Sequence, residues 1–225
     1  MSVYAVLVAA GRGERLGDER PKAFARLGGR VLLAESLERL DASPWVDAIV
    51  VVAPPDWEEP VIVLAEELAA GKVSASVTGG TTRTDSVRNG VAHVPEDAVA
   101  ILVHDAARPF VTDAVIERVL GPLGDGFDGA VPGLPVADTV KRIAAGGAVV
   151  ETLPRSELVA VQTPQAFVSP ALRSALERQS DNLSLATDCS SLVEANGGRV
   201  RVVEGDPRLV KVTTPADLAL VESWL

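Results

Sequence analysis

A short apolar run, Val3 to Ala9, leads directly into Ala10-Gly11-Arg12-Gly13-Glu14-Arg15-Leu16-Gly17, and Pro21-Lys22 follows. Small residues at such a turn let backbone N–H groups come close to a phosphate. Arg12, Arg15, Arg20 and Lys22 bring cations to the same stretch of a chain whose formal net charge is -10. Local positive charge on an acidic protein points to a small phosphate-bearing molecule. Two familiar phosphate loops do not fit. The dinucleotide fingerprint needs G-x-G-x-x-G, and here Gly17 falls one residue late. A Walker loop needs Gly-Lys-Ser/Thr at its end, and Gly71-Lys72 is followed by Val73.

Other residues are open to more than one reading. Asp105 follows the apolar run Val99 to Val103, where a carboxylate could cap a turn. Ser86 suits a helix start. His93 and His104 lack metal-ligand spacing and read as structural. Lys211 follows the apolar pair Leu209-Val210 at a strand end, where a solvated role is uneconomical. The single cysteine, Cys189, reads as a small packing residue and excludes an internal disulfide.

The elements that must position these residues are legible in part. The 225 residues are 47% hydrophobic, enough for one large α/β domain with a buried core. No Ser/Gly/Pro linker divides them, so a single domain, 1–225, is expected. Val3 to Ala9, Ile49 to Ala53 and Val99 to Val103 are apolar without alternation, as in strands covered on both faces. Helical patterns lie between them at Leu32 to Leu40, Pro60 to Ala70 and Asp85 to His93. That order predicts a mostly parallel sheet with crossover helices. After Gly129 the pattern breaks. Ala130 to Val136 is strand-like. Thr139 to Ile143 and Ala148 to Leu153 flank Gly146-Gly147 and predict a hairpin. Helices follow near Pro170 to Gln179 and Asp188 to Asn196, then a strand at Val200 to Val203. Thr214-Pro215-Ala216-Asp217 opens a last helix with a cap, a Pro at N1 and an acid at N3.

The acidic balance argues against nucleic acid as a partner. Val6 to Ala10 is too short for a signal-peptide core or a membrane span, and a reducing cytoplasm is expected.

Several segments, taken in order, resemble one family. They are Ala9-Ala10-Gly11-x-Gly13-x-Arg15 with Pro21-Lys22, Gly79-Gly80-Thr81-Thr82-Arg83-Thr84-Asp85-Ser86-Val87, His104-Asp105-Ala106-Ala107-Arg108-Pro109, Asp138-Thr139-Val140-Lys141 and Gln162-Thr163-Pro164-Gln165-Ala166-Phe167. Together they resemble the 2-C-methyl-D-erythritol 4-phosphate cytidylyltransferases of the non-mevalonate isoprenoid pathway. Ribitol 5-phosphate cytidylyltransferases share most of these motifs. The resemblance implies a Rossmann-like sheet with helices on both faces and a protruding hairpin, 138–155, exchanged between the subunits of a homodimer. It implies that CMP passes from CTP to a polyol phosphate with Mg²⁺ as cofactor. Arg15, Lys22 and Lys211 would be catalytic. Ala9, Ala10, Gly11, Gly13, Gly80, Asp85 and Ser86 would bind the nucleotide, with Gly80 and Ser86 on cytosine and Asp85 on ribose. Arg108, Thr139, Arg155 and Thr187 would hold the acceptor phosphate, and Asp105 the metal. Ser156 and Cys189 stand where the family often has an acid. A regulatory nucleotide-binding domain would have no use for Lys22 and Asp105, and a nicotinamide enzyme is opposed by the glycine spacing.

Overall fold

A computed structural model describes residues 2–11, 20–178 and 188–225. The chain opens with β1 (Val3–Val8). A 3-10 turn at Lys22–Phe24 and a small ribbon of β2 (Arg26–Leu27) and β3 (Arg30–Val31) follow. Then come α1 (Leu32–Ala42), β4 (Ala48–Ala53), α2 (Glu58–Glu67), β5 (Val73–Thr78), α3 (Arg83–Val91), β6 (Ala100–Asp105) and α4 (Asp113–Gly124). The second half holds β7 (Gly129–Pro135), β8 (Val140–Ile143), β9 (Val149–Leu153), β10 (Val159–Val161), β11 (Gln165–Val168), α5 (Ser169–Arg178), α6 (Cys189–Ala195), β12 (Val200–Glu204) and α7 (Pro215–Glu222).

One eight-stranded sheet runs β10-β7-β11-β6-β1-β4-β5, with β12 beside β7. β1, β4, β5 and β6 are mutually parallel, as the alternation of apolar runs and helices predicts. β11 enters antiparallel between β6 and β7, and β10 also runs antiparallel to β7. The short strands β5, β10 and β11 are not separately visible in the sequence pattern. β11 is four residues long and opens just after Thr163-Pro164, so neither length nor period marks it.

The central strands send alternate side chains to two cores. Ala5, Leu7, Ile49 and Val51 pack with Leu33, Leu37 and Leu40 of α1, Val61 of α2 and Ile116 of α4. Val6, Val50 and Val52 pack on the other face with Val87 and Val91 of α3, Leu172 of α5 and Leu192 of α6. Both faces of β4 are sealed, with Ile49 through Ala53 all at 0% exposure. That explains why its sequence shows no polar alternation. A third cluster joins Leu27, Leu32, Phe110, Val212 and Val221, tying α7 to the ribbon. Thr214 and Asp217 form the reciprocal capping box that the sequence predicts for α7.

β8 and β9 pair only with each other and close at Gly146 and Gly147, whose φ angles of 89° and 84° suit glycine. Ile143, Val149 and Val150 are each more than 60% exposed on this hairpin.

The end of β6 is fixed by a buried relay. The Asp105 N–H donates to Thr163 Oγ1 at 3.1 Å. The His104 Nε2 lies 3.0 Å from the Arg108 carbonyl, which can only accept, so that nitrogen carries the proton. Nδ1 must then accept from the Thr163 hydroxyl, 3.2 Å away. Every member is satisfied by neutral histidine, as the structural reading of His104 expects. Burial pushes its pKa from 6.5 down to about 4. Between those values the unfolded chain binds a proton that the native state does not, so stability falls as pH drops from 6.5 toward 4. From pH 7 to pH 5 His104 should cost on the order of 2 kcal/mol of stability. Urea unfolding of wild type and His104→Gln at both pH values checks this; parallel losses in the two proteins would assign the pH dependence elsewhere.

Candidate active site

A cavity of about 720 Å³ opens at the carboxyl ends of the parallel strands. From β1 the chain progresses outward to β4 and β5 and then returns to place β6 on the other side of β1. The crevice between β1 and β6 is therefore a topological switch point, where loops diverge and leave room for a ligand. Ala9, Ala10 and Gly11 leave β1 into this crevice, and Asp105, Ala106 and Ala107 leave β6 into it. The loop between β5 and α3, Gly79 to Thr82, forms a further wall.

The sequence explains how these walls close. The Ala9 N–H donates to Val52 O, and the Lys22 N–H donates to Gly11 O at 3.3 Å, so the 3-10 turn bearing Lys22 folds back against the first loop. A Cβ at Gly79 would collide with the side chain of Ala10, and one at Gly80 with Asp85. Glycine is needed at Gly79 because the first loop packs its Ala10 methyl there, and at Gly80 because the start of α3 folds back on it. The Ser86 hydroxyl accepts from the Gly80 N–H at 3.0 Å and donates to Thr82 O at 2.9 Å. It keeps one acceptor lone pair, and it lines the cavity.

Asp105 is 6% exposed and, among the described residues, is the carboxylate that lines the cavity. Arg83 Nε and Nη2 donate to its Oδ1 at 3.0 and 2.9 Å, and Lys211 Nζ donates to Oδ2 at 2.6 Å. Burial opposes the charge, but Arg83 and Lys211 outweigh it and hold the carboxyl well below the usual carboxylate range. Lys211 is delivered by the segment after β12, where the Val212 N–H donates to Ala107 O at 2.8 Å.

The predicted site residues divide into groups. Ala9, Ala10, Gly11, Lys22, Gly80, Ser86, Asp105 and Lys211 meet at one cavity. Arg15, Gly13 and Thr187 lie outside the described residues. Asp85 has a structural task, because its carboxylate accepts from Thr81, Thr82 and Arg88 and completes the capping box of α3. Arg108 is partly buried. Its Nη1 donates to Leu209 O at 2.5 Å, and its buried Nε has no partner among the described residues. Thr139 and Arg155 are exposed at the base of the hairpin, where Arg155 donates to Ala137 O, and neither lines the cavity of its own chain.

Arg83 is the residue that the sequence reading passes over. A signal was present: it opens a helix, and the positive end of the helix dipole disfavours a cation there. Among the described residues no three His, Cys, Asp or Glu side chains form a metal cluster.

The family model of the 2-C-methyl-D-erythritol 4-phosphate cytidylyltransferases matches residues 3–225. A 2-C-methyl-D-erythritol 4-phosphate cytidylyltransferase of Nocardia farcinica is 46% identical over 100% of this chain and 94% of its own. That of Rhodococcus jostii is 45% identical over 98% of this chain and 94% of its own. Among solved structures, the Thermus thermophilus 2-C-methyl-D-erythritol 4-phosphate cytidylyltransferase superposes with a TM-score of 0.80 at 35% identity, covering 100% of this chain and 98% of its own. The 4-diphosphocytidyl-2C-methyl-D-erythritol synthase of Anaerococcus prevotii reaches a TM-score of 0.86 at 27% identity, with 99% and 97% covered. A cavity at the switch point, a glycine-rich first loop, and a match that runs from β1 to the last helix place this chain in the 2-C-methyl-D-erythritol 4-phosphate cytidylyltransferase family.

Proposed function

We propose that this chain transfers CMP from CTP to 2-C-methyl-D-erythritol 4-phosphate and releases pyrophosphate, a step of isoprenoid precursor synthesis. The observation that carries the reading is the convergence of Gly11, Lys22, Ser86, Asp105 and Lys211 on one cavity in a chain that matches the family over residues 3–225. A phosphate oxygen of the acceptor attacks the α-phosphorus of CTP. The new P–O bond forms as the bond to the β,γ-diphosphate breaks, in line. The second pKa of a phosphate monoester is about 6, so the nucleophile is already anionic at pH 7 and needs no general base. The obstacle is bringing two polyanions together, which calls for cations and positioning. Lys22 lines the cavity where the triphosphate would lie, and the family resemblance assigns Arg15 to the same phosphates. Ser86 and the Gly80 backbone meet the cytosine, and Asp85 the ribose. Lys211 and Arg108 serve the acceptor phosphate.

The ionised Asp105 fits Mg²⁺, which commonly uses one or two protein carboxylates together with substrate phosphates. When bound, the ion supplies positive charge to the phosphates. Asp105 would hold it, beside Lys211.

The working unit is one nucleotidyltransferase domain, 1–225, whose arm, 138–155, reaches a second copy and brings Thr139 and Arg155 to that copy's acceptor site. Two features support this. The arm exposes Ile143, Val149 and Val150, and its cations stand apart from the cavity of their own chain. An isolated two-stranded hairpin is marginal in water, so a partner surface is the economical support. Among the described residues no helix is long and apolar enough to cross a membrane, and the free, buried Cys189 suits a reducing cytoplasm.

Pyrophosphate release with CTP and a panel of polyol phosphates tests the activity. The methylerythritol phosphate should be the best acceptor; a preference for ribitol 5-phosphate would overturn the assignment. Lys22→Ala should lower kcat about 100-fold or more while nucleotide binding persists, as for other preorganised electrostatic contacts. Mixing Lys22→Ala with Arg155→Ala tests the arm. A shared site places both defects in one site of the mixed dimer and leaves the other intact, so part of the activity should return on subunit exchange. Exchange seen by mass without recovered activity would place Arg155 in its own chain's site.

A further inference from the structure

The Arg83 guanidinium has a geometry that phosphate binding alone does not explain. It springs from the first residue of α3, directly after the Gly79 to Thr82 wall, and its fork turns inward. Nε and Nη2 both reach the same oxygen of Asp105, Oδ1, and Nη1 donates to Cys189 Sγ at 3.5 Å. Oδ2 is left to Lys211. Arg83 thus joins the nucleotide-side loop, the end of β6 and the first residue of α6.

The third of these anchors is itself held. Gln165, 1% exposed on β11, accepts from the Cys189 N–H at 3.3 Å and donates to Asp188 Oδ2 at 2.8 Å. Cys189 is buried and presents a neutral thiol. Among the described residues, Asp105 is the anion that Arg83 pairs with. Two bonds to one oxygen hold the plane of the carboxylate against tilting about its last bond, and they leave the other oxygen on Lys211.

We propose that Arg83 is a positioning residue of the transfer reaction: by gripping Oδ1 of Asp105, it fixes the carboxylate with its other oxygen on Lys211, in the cavity that takes the nucleotide and its accompanying cation. This rests on the reading of the cavity as a site for CTP with Mg²⁺.

The test uses Arg83→Lys and Arg83→Gln. Lysine keeps the charge but replaces the fork with a single ammonium. Loss of a group that orients a metal ligand commonly costs 10–100-fold in metal affinity or activity. The half-saturating Mg²⁺ concentration should therefore rise about 10-fold in Arg83→Lys and further in Arg83→Gln, and excess Mg²⁺ should restore most of kcat. Calorimetric binding of CTP should show the same recovery with added Mg²⁺, without reference to turnover. A purely structural role would lower the active fraction and leave the Mg²⁺ titration unchanged, which would overturn the proposal. Should Arg83→Gln fail to fold, Arg83→Lys decides. Should wild type bind no CTP, the reading of the cavity fails. The crystal structure of Arg83→Lys then judges the proposal separately: an Asp105 carboxylate that keeps its plane and its contact with Lys211 overturns it, and one that has rotated off Lys211 supports it.

Discussion

A carboxylate taken out of water at the end of a central strand must be neutralised, and much of this structure follows from how that is done. Asp105 lies between Arg83 and Lys211. Removing one partner from a buried ion pair typically costs about 3–5 kcal/mol, because the remaining charge is stranded. The arrangement therefore ties together three parts of the chain that lie far apart in sequence: the start of α3, the end of β6 and the segment after β12. The relay through His104 and Thr163 fixes the same strand end from the other side without adding charge. The positive and neutral supports have separate tasks. The cations keep Asp105 ionised, and the neutral relay keeps its backbone in place.

The sheet topology supplies the space in which this group acts. Strands that diverge from β1 leave their carboxyl-end loops splayed, and small residues let those loops come together. Ala10 packs its methyl where a side chain at Gly79 would stand. A nucleotide in this crevice would meet N–H groups and cations on rigid strand ends, so little reorganisation would accompany charge development. The acidity of the remainder of the chain makes the cavity's positive character more distinct.

What could be read in the sequence follows from how locally each feature is encoded. β1, β4 and β6 announce themselves because burial on both faces demands continuous apolar runs. The capping box of α7 and the glycine turn of the hairpin depend on three or four neighbouring residues. β11 was hidden because its four residues become a strand only between β6 and β7, a long-range fact. In the cavity, the presence of Gly11, Lys22 and Asp105 is expected from their neighbours and from the family resemblance. The inward fork of Arg83 was not, because its partners lie 22 and 106 positions away. Asp85 shows the opposite difficulty. Its position at N3 after Thr82 signals a cap, and that local task stands beside the ribose contact that the resemblance implies.

The spacing of the charges has a consequence for how the chain is made. Arg83 precedes Asp105 by 22 residues, whereas Lys211 follows it by 106. At roughly 5–20 residues per second on the ribosome, that later interval lasts about 5–20 seconds. Throughout it the emerging chain holds the carboxylate with its first counterion already at hand and the second still to be synthesised. Arg83 can pair with the carboxylate first, while the cavity waits for Lys211 to acquire its last wall.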